Sequence, residues 1–270
     1  MTMHAPTKFL HPAALRAEAT GPAAEAEPAP RLSVVVPVRN EAGNVGPLIA
    51  EIEEACAALG PFEIVYVDDG STDATPTELV QAQASRPHLR VLRHRASCGQ
   101  SAAVRTGVLA ARAPIVATLD GDGQNDPAFI PDLVAALERG GALTGLAAGQ
   151  RVGRRDTGSK RLQSRVANGV RGAVLKDGTR DTGCGLKAFR REVYLALPYF
   201  DALHRFMPAL VKREGWEIAH VDVRDRPRRA GVSKYGLFDR LGVGVLDLAG
   251  VWWLIRRRRQ VPHAEEVGRC

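Results

Sequence analysis

Short apolar runs alternate with amphipathic stretches through the first half of the chain. LSVVVPV (32–38) is β-branched, free of charge and punctuated by proline, the pattern of a buried strand. In NVGPLIAEIEEACAAL (44–59), Val45, Leu48, Ile49, Ile52, Ala55, Cys56 and Leu59 recur at helical spacing. FEIVYVDDGS (62–71) predicts a second strand ending in carboxylates. DATPTELVQAQAS then predicts a helix with Asp73 or Thr75 as its cap. LRVLRH (89–94) predicts a third strand, GQSAAVRTGVLAA (99–111) a helix of small residues, and APIVATLD (113–120) a fourth strand. Beyond these, PDLVAALERG reads as a helix and TGLAAGQRVG as a strand. WEIAHVDVRDRPRRAGVSKYG (216–236) reads as a strand running into a basic loop.

Strand alternating with helix implies right-handed βαβ units, hence an α/β fold with a mainly parallel sheet flanked by helices. Ligands bind such sheets beyond the carboxyl ends of the strands. VPVRNE, VDDGSTD and TLDGDGQNDP all fall at strand ends, so three polar clusters share one crevice. A stable sheet does not by itself require that convergence.

Composition narrows the picture. With 270 residues, 45% of them hydrophobic, the chain can build one sizeable core and a small appendage. The net charge of +7 is uneven: residues 31–150 carry −5, 151–191 carry +9 and 192–270 carry +4. An acidic half followed by a basic half predicts an anionic partner held by the second half. Aromatic residues are only 5% and no nucleic-acid-binding motif is present, which argues against a basic nucleic-acid-binding protein. Cys56, Cys98, Cys184 and Cys270 form no CxxC pair, so neither a zinc site nor a disulfide framework is expected, and a reducing compartment is. Residues 1–30, rich in Ala, Pro and Glu, read as a disordered leader without the apolar core of a signal peptide.

The carboxylate clusters carry the chemistry. Asp120 and Asp122 form a D-x-D pair with Gln124 two residues on, in a turn that Gly121 and Gly123 allow to run close to a ligand. Oxygen donors of this kind suit a hard cation whose remaining positions go to phosphate oxygens and water. A solvated Asp/Gly turn gives the same string. Asp68 and Asp69 have no cation among their sequence neighbours and would accept hydrogen bonds from a nucleobase or ribose; equally, they enrich a helix N-terminus in acid. RPRRAGVSK offers Arg226, Arg228, Arg229 and Lys234, suited to phosphate oxygens or to plain solvation.

Taken in order, VVVPVRNE, VDDGSTD, TLDGDGQNDP, DTGCGLKAFRR and RPRRAGVSKYG resemble family 2 glycosyltransferases of the GT-A type. Within that family the likeness is to dolichyl-phosphate mannosyltransferase and bacterial polyprenyl-phosphate glycosyltransferases, over roughly residues 32–240. The resemblance implies a nucleotide-sugar donor (GDP- or UDP-linked), a Mg²⁺ or Mn²⁺ ion, a polyprenyl-phosphate acceptor and inversion at the anomeric carbon. It places Pro37, Arg39, Glu41, Asp68, Asp69 and Gly121 around the nucleotide, and Asp120, Asp122 and Gln124 on the metal. Arg151, Arg228 and Lys234 would contact donor or acceptor phosphates, with Arg161 and Arg229 on the acceptor side. Asp181 stands where hydroxyl-accepting relatives place a base; a phosphate acceptor, with a second pKa near ~6, needs none, leaving Asp181 a positioning role. Two departures stand out. Arg39 replaces an aromatic residue, although guanidinium also stacks on a base. Gly121 and Gly123 replace the usual Ala and Leu, a change expected to loosen the loop. A saccharide or other hydroxyl acceptor is the rival within the enzyme class. A silent GT-A scaffold is opposed by the intact D-x-D-x-Q and SK motifs.

The tail supplies the last expectation. Leu241–Ile255 is apolar but for Asp247; as a helix it spans about 22 Å, short of a hydrocarbon core of about 30 Å. Trp252 and Trp253 before Arg256–Arg259 read as an amphipathic anchor on a membrane surface, the alternative being a helix packed on the domain or in a homo-oligomer. The expected division is a leader (1–30), a catalytic domain (31–236), a surface helix (237–259) and a tail (260–270), peripheral on the cytoplasmic face of the membrane.

Overall fold

The computed structural model describes residues 29–152, 169, 171–227 and 237–257, the last helix with side chains from 244 onward. The leader, the tail after 257, and Arg161, Arg228, Arg229 and Lys234 lie outside the described residues. β1 (Leu32–Val38), β2 (Phe62–Asp68), β3 (Leu89–Arg93) and β4 (Ile115–Thr118) alternate with α1 (Val45–Cys56), α2 (Thr75–Gln83) and α3 (Gln100–Ala110). α4 (Ile130–Arg139), β5 (Thr144–Arg151), β6 (Lys187–Arg190), α5 (Arg191–Ala196), α6 (Leu203–Arg213), β7 (Glu217–Val223) and α7 (Leu237–Arg257) follow.

The strands form one seven-stranded sheet in the order β3-β2-β1-β4-β6-β5-β7. Only β6 runs against the rest, antiparallel to both β4 and β5. β1 is buried because the sheet is covered on both sides: Val34, Val36 and Val38 pack against α1, α2 and α4, while Val35 faces α3, α5 and α6. The same alternation places Ile64 and Tyr66 of β2 on one side and Val65 and Val67 on the other. The first six predicted elements therefore appear where the apolar pattern put them. β2 stops at Asp68, three residues before the predicted end, and Ala74 rather than Asp73 or Thr75 occupies the cap of α2. Asp73 still accepts the Thr75 amide at 3.0 Å.

α7 lies along α6. Leu248, Leu254 and Ile255 pack on the core with fully buried Val251, and Arg213 donates from Nε to the Leu254 carbonyl at 3.1 Å. The opposite face exposes Val245 (64%), Leu246 (74%), Trp252 (39%) and Trp253 (54%). Arg256 lies over the Trp252 ring and Arg257 over that of Trp253. Among the described residues no helix is long and apolar enough to cross a membrane.

Candidate active site

The carboxyl ends of β1, β2 and β4 converge as expected, and the loops beyond them are tied together by side chains. Asn40, in the left-handed region at φ 53, donates its amide to Ser71 Oγ at 2.8 Å and accepts the Thr72 amide at 2.7 Å. The Glu41 amide reaches Thr75 Oγ1 at 2.8 Å, and the Gly43 amide reaches the Glu78 carboxylate at 2.9 Å. Pro37, exposed Arg39 and Glu41 are thus carried by a segment stitched to the start of α2.

Asp68 and Asp69 have partners within the protein. Both are buried and both meet partners from β3 and the segment after it, which sequence neighbours could not show. Arg93 Nε lies 3.1 Å from Asp68 Oδ2, and Asp68 Oδ1 accepts the Ser71 amide at 2.9 Å. Asp69 receives four donors: His94 Nδ1 (2.7 Å), Ser97 Oγ (2.7 Å), and the amides of Cys98 (2.8 Å) and Gly99 (2.9 Å). Four donors match the capacity of a carboxylate, so Asp69 organises the turn into α3. These bonds hold its carboxyl below the usual range against the opposing effect of burial.

The turn after β4 is built tightly. Asp122 accepts the Gln124 amide at 3.0 Å; Asn125 Oδ1 accepts the Asp120 amide at 3.0 Å; Asp126 accepts the Ala128 amide at 3.0 Å and caps the following turn. The glycines do not loosen it. A Cβ at Gly121 would fall 2.2 Å from Val38 Cγ1, and Gly123 sits at φ 73, so close packing and a left-handed step account for both. Asp120, half-buried, takes a hydrogen bond from Gln100 Nε2 at 2.7 Å. Burial first, then Asp122 and Asp225, push its carboxyl up to about 6, with Lys187 and Arg151 opposing. Gly185 faces this carboxylate: a Cβ there would lie 2.5 Å from it. The site is therefore a crowded set of oxygen donors with Gly185 packed so closely on Asp120 that no side chain fits between them, a donor set that suits a divalent cation.

Arg151, at the end of β5, meets carboxylates rather than the open crevice expected of a phosphate ligand. It is clamped by Asp181 (Nε to Oδ2 2.5 Å, Nη2 to Oδ1 2.9 Å) and by Asp225 (Nη1 to Oδ2 3.2 Å). Gln150 Oε1 accepts the amides of Arg180 and Asp181 at 2.9 and 3.0 Å, fixing that segment beside the arginine. Behind Asp120 lies Lys187, buried, with Nζ donating to the Cys184 carbonyl. Arg226 is anchored as well: it bonds Glu51 at 2.6 Å, and its amide reaches the Gln124 carbonyl at 2.8 Å. The basic loop thus starts against the D-x-D turn. Sequence reasoning missed Gln100, Gly185, Lys187 and Asp225. Gly185 and Lys187 lie inside DTGCGLKAFRR, where a lysine opening a strand was the available signal.

A sequence model of glycosyl transferase family 2 matches residues 33–197. Dodecaprenyl-phosphate galacturonate synthase of Rhizobium johnstonii is 36% identical over 86% of this chain and 69% of its own length. Undecaprenyl-phosphate 4-deoxy-4-formamido-L-arabinose transferase of Edwardsiella ictaluri is 35% identical over 76% of this chain and 63% of its own. Among solved structures, glucosyl-3-phosphoglycerate synthase from Mycobacterium tuberculosis, with Mn²⁺, UDP and phosphoglyceric acid, superposes with a TM-score of 0.64 at 21% identity. That alignment covers 86% of this chain and 80% of the other, and shares the GT-A-type fold.

Proposed function

Because the chain belongs to glycosyltransferase family 2, we propose that it moves a sugar from a nucleoside diphosphate to a polyprenyl phosphate at a membrane surface. The observation that carries the reading is the Asp120–Asp122 turn, crowded with carboxylates and packed directly against Gly185. Relatives named for polyprenyl-phosphate acceptors support the acceptor class. Asp120, Asp122 and Gln124 would hold Mg²⁺ or Mn²⁺, which when bound neutralises charge gathering on the departing diphosphate. Pro37, Arg39, Glu41 and Asp68 would line the nucleotide, with Asp69 supporting the segment around it. Arg161, Arg228, Arg229 and Lys234 are assigned to phosphate oxygens, which suit arginine forks.

In this reaction an acceptor phosphate oxygen attacks the anomeric carbon from the face opposite the diphosphate. One C–O bond forms as the other breaks, and the configuration inverts. The nucleophile is already an anion, so no proton has to be removed. Asp181 accordingly serves by holding Arg151. Asp181→Asn keeps one acceptor oxygen and is expected to retain measurable transfer, reduced about ten- to a hundredfold. Complete loss with both substrates still bound would make Asp181 a base. The overall reading is tested by screening UDP- and GDP-sugars for Mn²⁺-dependent release of the nucleoside diphosphate that rises when undecaprenyl phosphate is added.

Metal binding should depend on pH in a defined sense. The Asp120 carboxyl, raised to about 6 without metal, must lose its proton to ligate. Affinity for Mn²⁺ is therefore constant above pH 6 and falls about tenfold per pH unit below it, measured by titration calorimetry at pH 7.5 and 5.

The exposed face of α7 supports the membrane reading. Its apolar residues sit opposite the packed face, and Arg256 and Arg257 follow the tryptophans as cations follow an interfacial aromatic belt. Asp247, its carboxyl raised by burial and opposed by Arg205, is half-buried beside the protein. Replacing Trp252 and Trp253 by serine is expected to cut sedimentation with anionic liposomes at least tenfold without changing transfer to a short, soluble prenyl phosphate.

A further inference from the structure

Ser101 and His204 join the N-termini of α3 and α6 at the end of the sheet where the crevice opens. Ser101 Oγ lies 2.7 Å from His204 Nδ1. The residue before Ser101 is Gln100, whose amide bonds Asp120. The cations facing His204 are Arg205 and Lys187, and Lys187 also faces Asp120. His204 is therefore tied to the same end of α3 that contacts Asp120, yet the transfer as described above makes no use of it.

Its state follows from its surroundings. Burial, with Arg205 and Lys187 acting in the same direction, lowers the imidazole to about 3, so it is neutral at working pH. Ser101 Oγ engages Nδ1, leaving Nε2 as the ring nitrogen that can meet a ligand. Among the described residues Nε2 has no hydrogen-bond partner, and the residue is only partly buried. We propose that His204 presents Nε2 to a hydroxyl of the transferred sugar and helps to select the donor. A neutral ring nitrogen suits a hydroxyl, which can donate or accept, whereas a phosphate dianion is better met by the arginines. The inference rests on the reading of the crevice as the donor site.

The test uses the full chain with Mn²⁺ and titration calorimetry of UDP, GDP and a panel of UDP- and GDP-hexoses and hexuronates. Wild type is expected to bind at least one nucleotide sugar more tightly than its free nucleotide. His204→Ala should lose that gain by at least about tenfold while its affinity for the free nucleotide stays within twofold. His204→Gln, which keeps a neutral hydrogen-bonding group, should recover part of the gain, and Ser101→Ala should lose part of it. Three results would overturn the proposal: an unchanged gain in His204→Ala, equal losses for nucleotide and nucleotide sugar, or a change confined to the KM for undecaprenyl phosphate. If wild type binds neither UDP nor GDP with Mn²⁺, the donor-site reading itself fails and the inference falls with it.

Discussion

Asp120→Asn is expected to lower metal-dependent transfer about a thousandfold, roughly 4 kcal/mol of barrier, without lowering the thermal midpoint of the metal-free protein at pH 7.5. The two effects separate because the carboxylate is unfavourable until a cation arrives. Its folded pKa of about 6 lies above the unfolded value near ~3.9. The folded state therefore holds the proton more tightly, and ionisation costs stability as pH rises, in full above pH 6. Asparagine removes that cost and keeps an oxygen for the Gln100 amide, 2.7 Å away in the wild type. A structural role for Asp120 predicts the reverse, a lower midpoint with activity falling in step. Kinetics with and without EDTA, beside thermal unfolding of the same samples, distinguish the two.

Gly185→Ala is the second large effect. An added Cβ would lie 2.5 Å from the Asp120 carboxyl carbon, far inside van der Waals contact, and the carboxylate is the mobile partner. The Gly185 carbonyl is meanwhile held by Thr118 Oγ1 at 2.9 Å, so the backbone resists moving. The strain accordingly falls on the metal ligand. Mn²⁺ affinity is expected to drop ten- to a hundredfold, while far-ultraviolet circular dichroism stays unchanged. Gly183→Ala is the control in the same segment. Its Cβ would meet Arg151 Nη2 at 3.2 Å and Asp181 Oδ1 at 3.5 Å, contacts that small adjustments absorb.

These predictions show which parts of the site could be read along the chain. β1, β2 and β4 are legible because both faces of each strand are covered, which demands unbroken apolar runs such as Val34–Val36 and Val65–Val67. The Asp120–Gln124 turn is legible because its donors are adjacent in sequence. The partners of Asp69 are illegible for the opposite reason: its four donors come from residues 94–99, brought close only when β3 pairs with β2. Arg151 likewise looks like a phosphate ligand until Asp181 and Asp225 converge on it across 30 and 74 residues. β6 escapes the apolar pattern because KAFR is four residues long and opens with a buried lysine. The tail carried two readings that are compatible in geometry: one side of α7 packs on the core, and the other leaves its tryptophans exposed.

Metal-dependent transfer of the sugar to a lipid phosphate has a direct readout in the lipid itself. The full chain is incubated with undecaprenyl phosphate and the nucleotide sugars that support release, with Mn²⁺ or with EDTA, and the solvent-extracted lipid is weighed by mass spectrometry. A glycosyl phosphoryl polyprenol is expected, formed in step with nucleoside diphosphate, present with Mn²⁺ and absent with EDTA. Sugar recovered only in water or on a saccharide hydroxyl, with the lipid phosphate unchanged, would contradict it.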